Sequence, residues 1–161
     1  MSIENVKDYL ANYNRSSDII ELDLSSATVD LAAAALGVEP ARIAKTLAFR
    51  GREDGESVLV VAAGDAKIDN KKFKELFGVK ARMLSAEETL EQTGHAVGGV
   101  CPFGLINKLP VYMDISLKRF SAVFPACGSS NSAIELTCEE LAEYGKGKEW
   151  VDVCKSWADN S

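Results

Sequence analysis

The sequence predicts a single α/β domain, in which a mixed, curled, barrel-like sheet is surrounded by helices. Three observations carry that expectation. Helical and strand patterns alternate along the chain. Several neighbouring strands are joined too tightly for parallel crossovers, so the sheet has to be mixed. At 161 residues, 47% hydrophobic and 26% charged, the chain can bury one substantial core and has an ordinary globular composition. Residues 1–161 therefore read as one domain, with no internal repeat and no linker.

Each element has its own warrant. "IENVKDYLAN" places Ile3, Val6 and Leu10 at helical spacing. "DIIELDL" is a short strand. "SATVDLAAAALG" is a small-residue helix, capped by Ser26 or Thr28 and stopped by Gly37. "EPARIAKTLAFR" opens a short helix on Pro40 and passes through Lys45 into the strand "TLAFR". "GREDGE" is a hairpin turn, and "SVLVVAAG" is apolar enough for a sheet interior. "DNKKFKELFG" puts Phe73 and Phe77 on one helix face, with Gly78 as the stop. "ARMLS" reads as a strand, and "SAEETLEQTG" starts with a capping box of Ser85 and Glu88. "PVYMDIS" and "FSAVFPA" are strands separated by a turn or short helix around Leu117, and "SAIELT" is the last clear strand. Thr137 and Glu140 cap the helix "CEELAEY". The tail, 145–161, offers a docked strand or turn through Trp150 and Val151.

Composition narrows the function classes. No run of eighteen apolar residues exists, and "MSIENVKDYL" has no signal-peptide pattern, so the expectation is a cytoplasmic protein without a membrane partner. Four cysteines, at 101, 127, 138 and 154, include no CxxC pair and there is one histidine, which argues against a zinc site. The thiols read as reduced, and no metal or cofactor is expected. A formal charge of −6 argues against broad nucleic-acid binding, and DNA is not an expected partner. There is no Walker loop, dinucleotide fingerprint, GxSxG elbow or HExxH helix.

Two places could carry chemistry. The first is "HAVGGVCPFGL", which gathers Gly98, Gly99 and Gly104 around Cys101, Pro102 and Phe103 beside His95. It is either a tight connection or a rigid loop that cradles a small ligand with backbone groups. A Cys101–His95 nucleophile is conceivable, but sequence proximity alone proves no hydrogen bond. The second is Lys45, flanked by Ala44 and not by other charges. It is either an exposed lysine favoured by a helix C-terminus or a cation at the mouth of an apolar pocket, suited to a phosphate or a developing oxyanion. Asp65, Lys67 and Asp69 in "AAGDAKIDNKK" are equally well explained as a capped helix entry.

The order "IAKTL", "VVAAGDAKID", "VGGVCPFG", "VYMDISL" and "CGSSNSAIEL" resembles the YbaK/ProX family of aminoacyl-tRNA deacylases, relatives of the editing insertion in bacterial prolyl-tRNA synthetases. The resemblance covers about residues 20–144 and leaves the role of the tail open. It implies hydrolysis of the ester that joins a wrong amino acid, Cys or Ala before others, to the 3′ end of tRNA(Pro). The family's lysine falls on Lys45, next to Thr46. Its backbone-presenting loop falls on Gly98, Gly99, Cys101, Pro102 and Phe103. Gly64, and Gly128 with Ser129, would line other sides of the pocket, and Cys101 and Cys127 would make it small and soft.

An aminoacyl ester is already activated, so water needs placement and charge stabilisation more than a covalent nucleophile. The negative charge could be offset by a basic face of Lys45, Lys67, Lys71, Lys72, Lys74, Lys80 and Arg82, or by a partner such as prolyl-tRNA synthetase. Two other readings stay open: a non-catalytic module that binds an amino acid or tRNA in the same pocket, and a thiol-redox protein using Cys101 and Cys127.

Overall fold

The computed structural model of the protein describes residues 2–157. In chain order it runs α1 (Ser2–Ala11), β1 (Ile20–Glu21), α2 (Val29–Leu36), β2 (Ile43–Arg50), β3 (Ser57–Ala63) and β4 (Lys67–Ile68). Then come α3 (Asn70–Phe77), α4 (Ala86–Thr93), β5 (Val111–Asp114), β6 (Phe124–Pro125), β7 (Ser132–Ala133), α5 (Cys138–Tyr144), β8 (Gly147–Val151) and β9 (Cys154–Lys155).

The helix boundaries follow local chemistry. Thr28 caps α2 by accepting from the Leu31 N–H, and Gly37 ends it at φ +70°. Asp69 caps α3 through the N–H groups of Lys71 and Lys72. Capping boxes open α4 (Ser85 with Glu88) and α5 (Thr137 with Glu140), each satisfying two otherwise orphaned donors. In the "GREDGE" turn the Gly51 N–H donates to the Glu56 carbonyl at 2.8 Å, and Gly55 takes φ +83°.

One five-stranded sheet, in the order β6-β2-β3-β5-β8, organises the domain. Only the β2–β3 hairpin is antiparallel; β6 on β2, β5 on β3 and β8 on β5 are parallel. The sheet is therefore mixed, as the short connections required. Leu59 through Ala63 on β3 are fully buried, as a central strand with both faces covered should be. Phe73, Met113, Leu117, Ile134 and Leu141 share that core.

Several boundaries differ from expectation, each for a physical reason. The helix at Pro40 is a single 3₁₀ turn, Pro40–Arg42, and β2 already begins at Ile43, which pairs with Phe124. Lys45 thus lies inside a strand opposite Ala62, and no helix C-terminus favours its charge. "ARMLS" is extended but joins β2 only briefly: Arg50 N–H donates to the Arg82 carbonyl and Leu84 N–H to the Ala48 carbonyl. The 120–126 and 132–137 segments pair with each other, Val123 and Leu136 exchanging both N–H donations. Pro125 lacks a donor and keeps β6 to two residues. The tail is docked: β8 closes the sheet edge, β9 pairs with β4, and the Val153 N–H donates to Asp114 Oδ1 at 2.9 Å. Residues 158–161 of that tail lie outside the described residues. Among the described residues no helix is long and apolar enough to cross a membrane.

Candidate functional site

A cavity of about 270 Å³ opens on one side of β2. Lys45 and Thr46 form its floor, Ser26 to Val29 one wall, and Gly98 with Val100 another. Its remaining lining is almost wholly apolar, including Ala44, Leu84, Phe124 and Ala133, and no carboxylate or imidazole takes part. Exposed Met83 and Val97 form a lip. At this size it is smaller than the roughly 300–1,000 Å³ of a drug-sized site. It is large enough for a group of amino-acid size.

The Lys45 ammonium is held from behind. Nζ donates to the Gly64 carbonyl at 3.3 Å and to the Ala66 carbonyl. Lysine has three N–H donors, so one remains for a ligand. Burial holds the ammonium below its ordinary pKa, with Cys154 and Asp65 acting in the opposite sense and Lys67 adding to the depression. Gly64 is needed for this arrangement, because a Cβ there would lie 2.0 Å from the Pro40 carbonyl oxygen. The sequence reading made Gly64 a lining residue. The structure instead places it behind Lys45, where its backbone positions the cation.

Two hydroxyls in the cavity wall have no hydrogen-bond partner although both are buried: Ser26 Oγ and Thr46 Oγ1. Thr28 is used as a cap, Thr89 donates to the Ser85 carbonyl, and Ser132 bonds Ser129. A buried hydroxyl without a partner costs about 1–3 kcal/mol, so the pair marks this part of the lining as polar and unsatisfied. Ser26 was missed as a site residue. The available signal was that "SAT" offers two caps for one helix, and Thr28 takes that role.

The glycine loop divides its work. Gly98 faces the cavity at φ +102°, and a Cβ there would come 3.2 Å from the Ala27 Cβ across the opening. Gly99 turns the other way: a Cβ would meet the Gly128 carbonyl carbon and the Ser129 nitrogen at 2.8 Å, and the Gly128 N–H donates to the Gly99 carbonyl at 3.0 Å. Gly99, Gly128 and Ser129 thus brace the loop from outside the cavity. Cys101 and Phe103 are fully buried in the core, as is Cys127, and Pro102 opens on a different concavity. These residues, which the resemblance would put on the pocket, face elsewhere: the loop turns Cys101 and Phe103 into the core and leaves its 97–100 edge on the cavity.

The same geometry argues against a Cys–His nucleophile, even though Cys101 Sγ lies 3.6 Å from His95 Nε2. His95 is fully buried, with Nε2 2.7 Å from the Phe103 carbonyl oxygen, an acceptor, so Nε2 carries the proton. The Ser2 hydroxyl then donates to Nδ1. Burial keeps the imidazole neutral and pushes the Cys101 thiol up to about 12. Cys101→Ser is therefore expected to leave the chemistry of the site largely intact. His95 has a stability signature instead. Its pKa is lowered from 6.5, so below pH 6.5 the unfolded chain takes up a proton that the native state refuses, and stability falls. Urea unfolding at pH 7.5 and 5.5 should show a larger loss for wild type than for His95→Gln; equal losses would show that the imidazole titrates freely.

The other candidates are structural. Asp65 makes a two-point ion pair with Arg119, and Lys72 binds Asp152. None of Lys67, Lys71, Lys72, Lys74, Lys80 or Arg82 lines the cavity. All four cysteines are free thiols, and among the described residues no group of three His, Cys, Asp or Glu side chains could share a metal ion.

The chain is similar to several known proteins. The profile of the aminoacyl-tRNA editing domain matches residues 25–144. The Bacillus subtilis protein YwhH is 59% identical over 157 residues, 98% of this chain and 99% of its own. An Enterococcus faecalis protein named "Putative Cys-tRNA(Pro)/Cys-tRNA(Cys) deacylase EbsC" is 32% identical over 117 residues, 72% of this chain and 71% of that one. A proline–tRNA ligase of Bacillus licheniformis is 34% identical over 95 residues, 58% of this chain but 16% of the ligase. A solved structure described as "Crystal structure of a putative trans-editing enzyme for prolyl tRNA synthetase" superposes with a TM-score of 0.85 at 30% identity, covering 96% of this chain and 98% of the other. The chain belongs to the aminoacyl-tRNA editing domain family.

Proposed function

We propose that the protein is a deacylase that hydrolyses the ester of a small, wrongly attached amino acid, cysteine or alanine, on tRNA(Pro). The observation that carries this is Lys45: a desolvated ammonium, fixed by two carbonyls, on the floor of a cavity sized for an aminoacyl group. Water adds to the ester carbonyl and the acyl carbon–oxygen bond to the ribose breaks. The ribose oxygen takes a proton, leaving a free amino acid and an intact tRNA 3′ end. Lys45 stabilises charge on the attacked carbonyl oxygen or holds the terminal phosphate. With no carboxylate or imidazole on the cavity wall, and Lys45 acting as the cation, the group that takes the water's proton belongs to the substrate: the thiolate of a cysteinyl group, or the ribose oxygen as it leaves.

A second site of this kind is useful because a synthetic site discriminates weakly between amino acids that differ by small groups. The test is a deacylation panel of tRNA(Pro) charged with Ala, Cys, Ser, Thr and Pro. Ala or Cys should be released and Pro spared. Binding of every member without release would favour the non-catalytic module.

Ser26 Oγ and Thr46 Oγ1 hold the polar end of the aminoacyl group. Ser26→Ala and Thr46→Val should each lower kcat/KM about tenfold, within the ~1–3 kcal/mol of a lost hydrogen bond. Neither should lower the melting temperature, because each removes a buried polar atom that has no partner in the free protein. Lower stability with unchanged kcat/KM would make both hydroxyls structural.

A further inference from the structure

We propose that a groove on the far side of the glycine loop binds the phosphodiester backbone of the tRNA whose 3′ end enters the cavity; this rests on the deacylase reading above. The groove is made by two adjoining concavities, which share Asn107, Lys108, Pro110 and Lys148 as a common wall. Lys146 stands at one end and Arg52 at the other.

Four observations favour a polyanion. First, the lysines come from separate segments, 108 from the loop before β5, 146 from the turn between α5 and β8, and 148 from β8, and converge only in the fold. Second, Arg52, Lys108, Lys146 and Lys148 take part in no ion pair among the described residues, although the chain carries a formal charge of −6. Glu56 is the acidic residue on the wall, at the Arg52 end, and its carboxylate accepts from the Glu53 N–H. Third, Lys146 is held at φ +51°, a conformation that disfavours a lysine, with Nζ 5.9 Å from the centre of the Tyr9 ring. Fourth, the loop is the partition between the two sites. Val100 lines the cavity and Pro102 the groove, two residues and at most about 7 Å of chain apart. A nucleic acid with its end in the cavity would cross this partition to bring its backbone to the lysines.

The basic face expected from the sequence, around 67–82, is the rival location. The experiment compares wild type, the triple variant Lys108→Gln/Lys146→Asn/Lys148→Gln, and Lys71→Gln/Lys74→Gln/Lys80→Gln, which removes the same charge elsewhere. Binding of deacylated tRNA(Pro) is measured against salt, alongside hydrolysis of aminoacyl-tRNA and of a minimal aminoacyl-adenosine ester. The groove variant should flatten the slope of log affinity against log salt by about 2–3, at roughly 0.7–0.9 per phosphate contact. It should raise KM for aminoacyl-tRNA with little change in kcat, and leave the minimal ester unaffected. An unchanged slope and KM would overturn the proposal, as would equal flattening by the 71/74/80 variant. A wild type that cleaves no aminoacyl ester would remove the deacylase reading, while the binding arm would still decide whether the groove takes tRNA.

Discussion

Lys45→Met is expected to lower single-turnover deacylation by about 10²–10³, the loss typical of removing one preorganised stabiliser of a developing oxyanion. The fold should survive. The substitution withdraws a donor from the Gly64 and Ala66 carbonyls, but it also removes a desolvated charge from an apolar surrounding. These effects oppose each other, so the melting temperature should move by no more than about 2–4 °C, equivalent to roughly 1 kcal/mol at this size. Lys45→Arg should not rescue activity, because a planar fork does not fit a seat built for a point charge on two carbonyls. If Lys45 acts as proposed, the active form is the cation, and its pKa lies below the lysine norm of 10.5. Enzymatic rate, corrected for spontaneous ester hydrolysis, should therefore decline on an alkaline limb that begins below 10.5. Wild-type turnover by folded Lys45→Met would remove this residue from the chemistry.

Gly98→Ala and Gly99→Ala are expected to fail in different ways. Gly98 sits at φ +102° on the cavity wall, with Ala27 opposite. A methyl group there narrows the opening, and the left-handed backbone costs about 1–2 kcal/mol for a residue with a Cβ. Catalytic efficiency should drop at least tenfold per folded molecule, with a modest loss of stability. At Gly99 the methyl would collide with the backbone of Gly128 and Ser129, which cannot swing aside as a side chain can. That variant should lose several kcal/mol or fail to fold, as overpacking against rigid neighbours does. Thermal unfolding and single-turnover deacylation on the same preparations separate the two. Normal turnover by Gly98→Ala would make this edge of the loop a connection only.

Much of this fold is legible because it is punctuated locally. Thr28, Asp69, Ser85 and Thr137 open helices, and Gly37 and Gly78 close them, through bonds that span three or four residues. Pairing partners are not local, which is why "ARMLS" read as a full strand and Lys45 as the end of a helix. The site divides along the same line. Lys45, Thr46 and Gly98 stand on the cavity wall, where the family resemblance put them. Cys101, Pro102 and Phe103 do not, because spacing says which residues share a loop and not which way each faces. Ser26 was hidden behind a competing role as a cap. Lys108, Lys146 and Lys148 were invisible as a group, since the parallel pairing of β8 with β5 is what brings their segments together.

The most direct test of the central claim is a crystal structure with a stable substrate mimic: alanine or cysteine joined by an amide to 3′-amino-3′-deoxyadenosine, which resists hydrolysis. The account predicts the aminoacyl group inside the cavity, its carbonyl oxygen within hydrogen-bonding distance of Lys45 Nζ and its polar end at Ser26 and Thr46. The ribose should rest on the lip of Met83 and Val97. A mimic that inhibits deacylation yet binds away from Lys45 would contradict it.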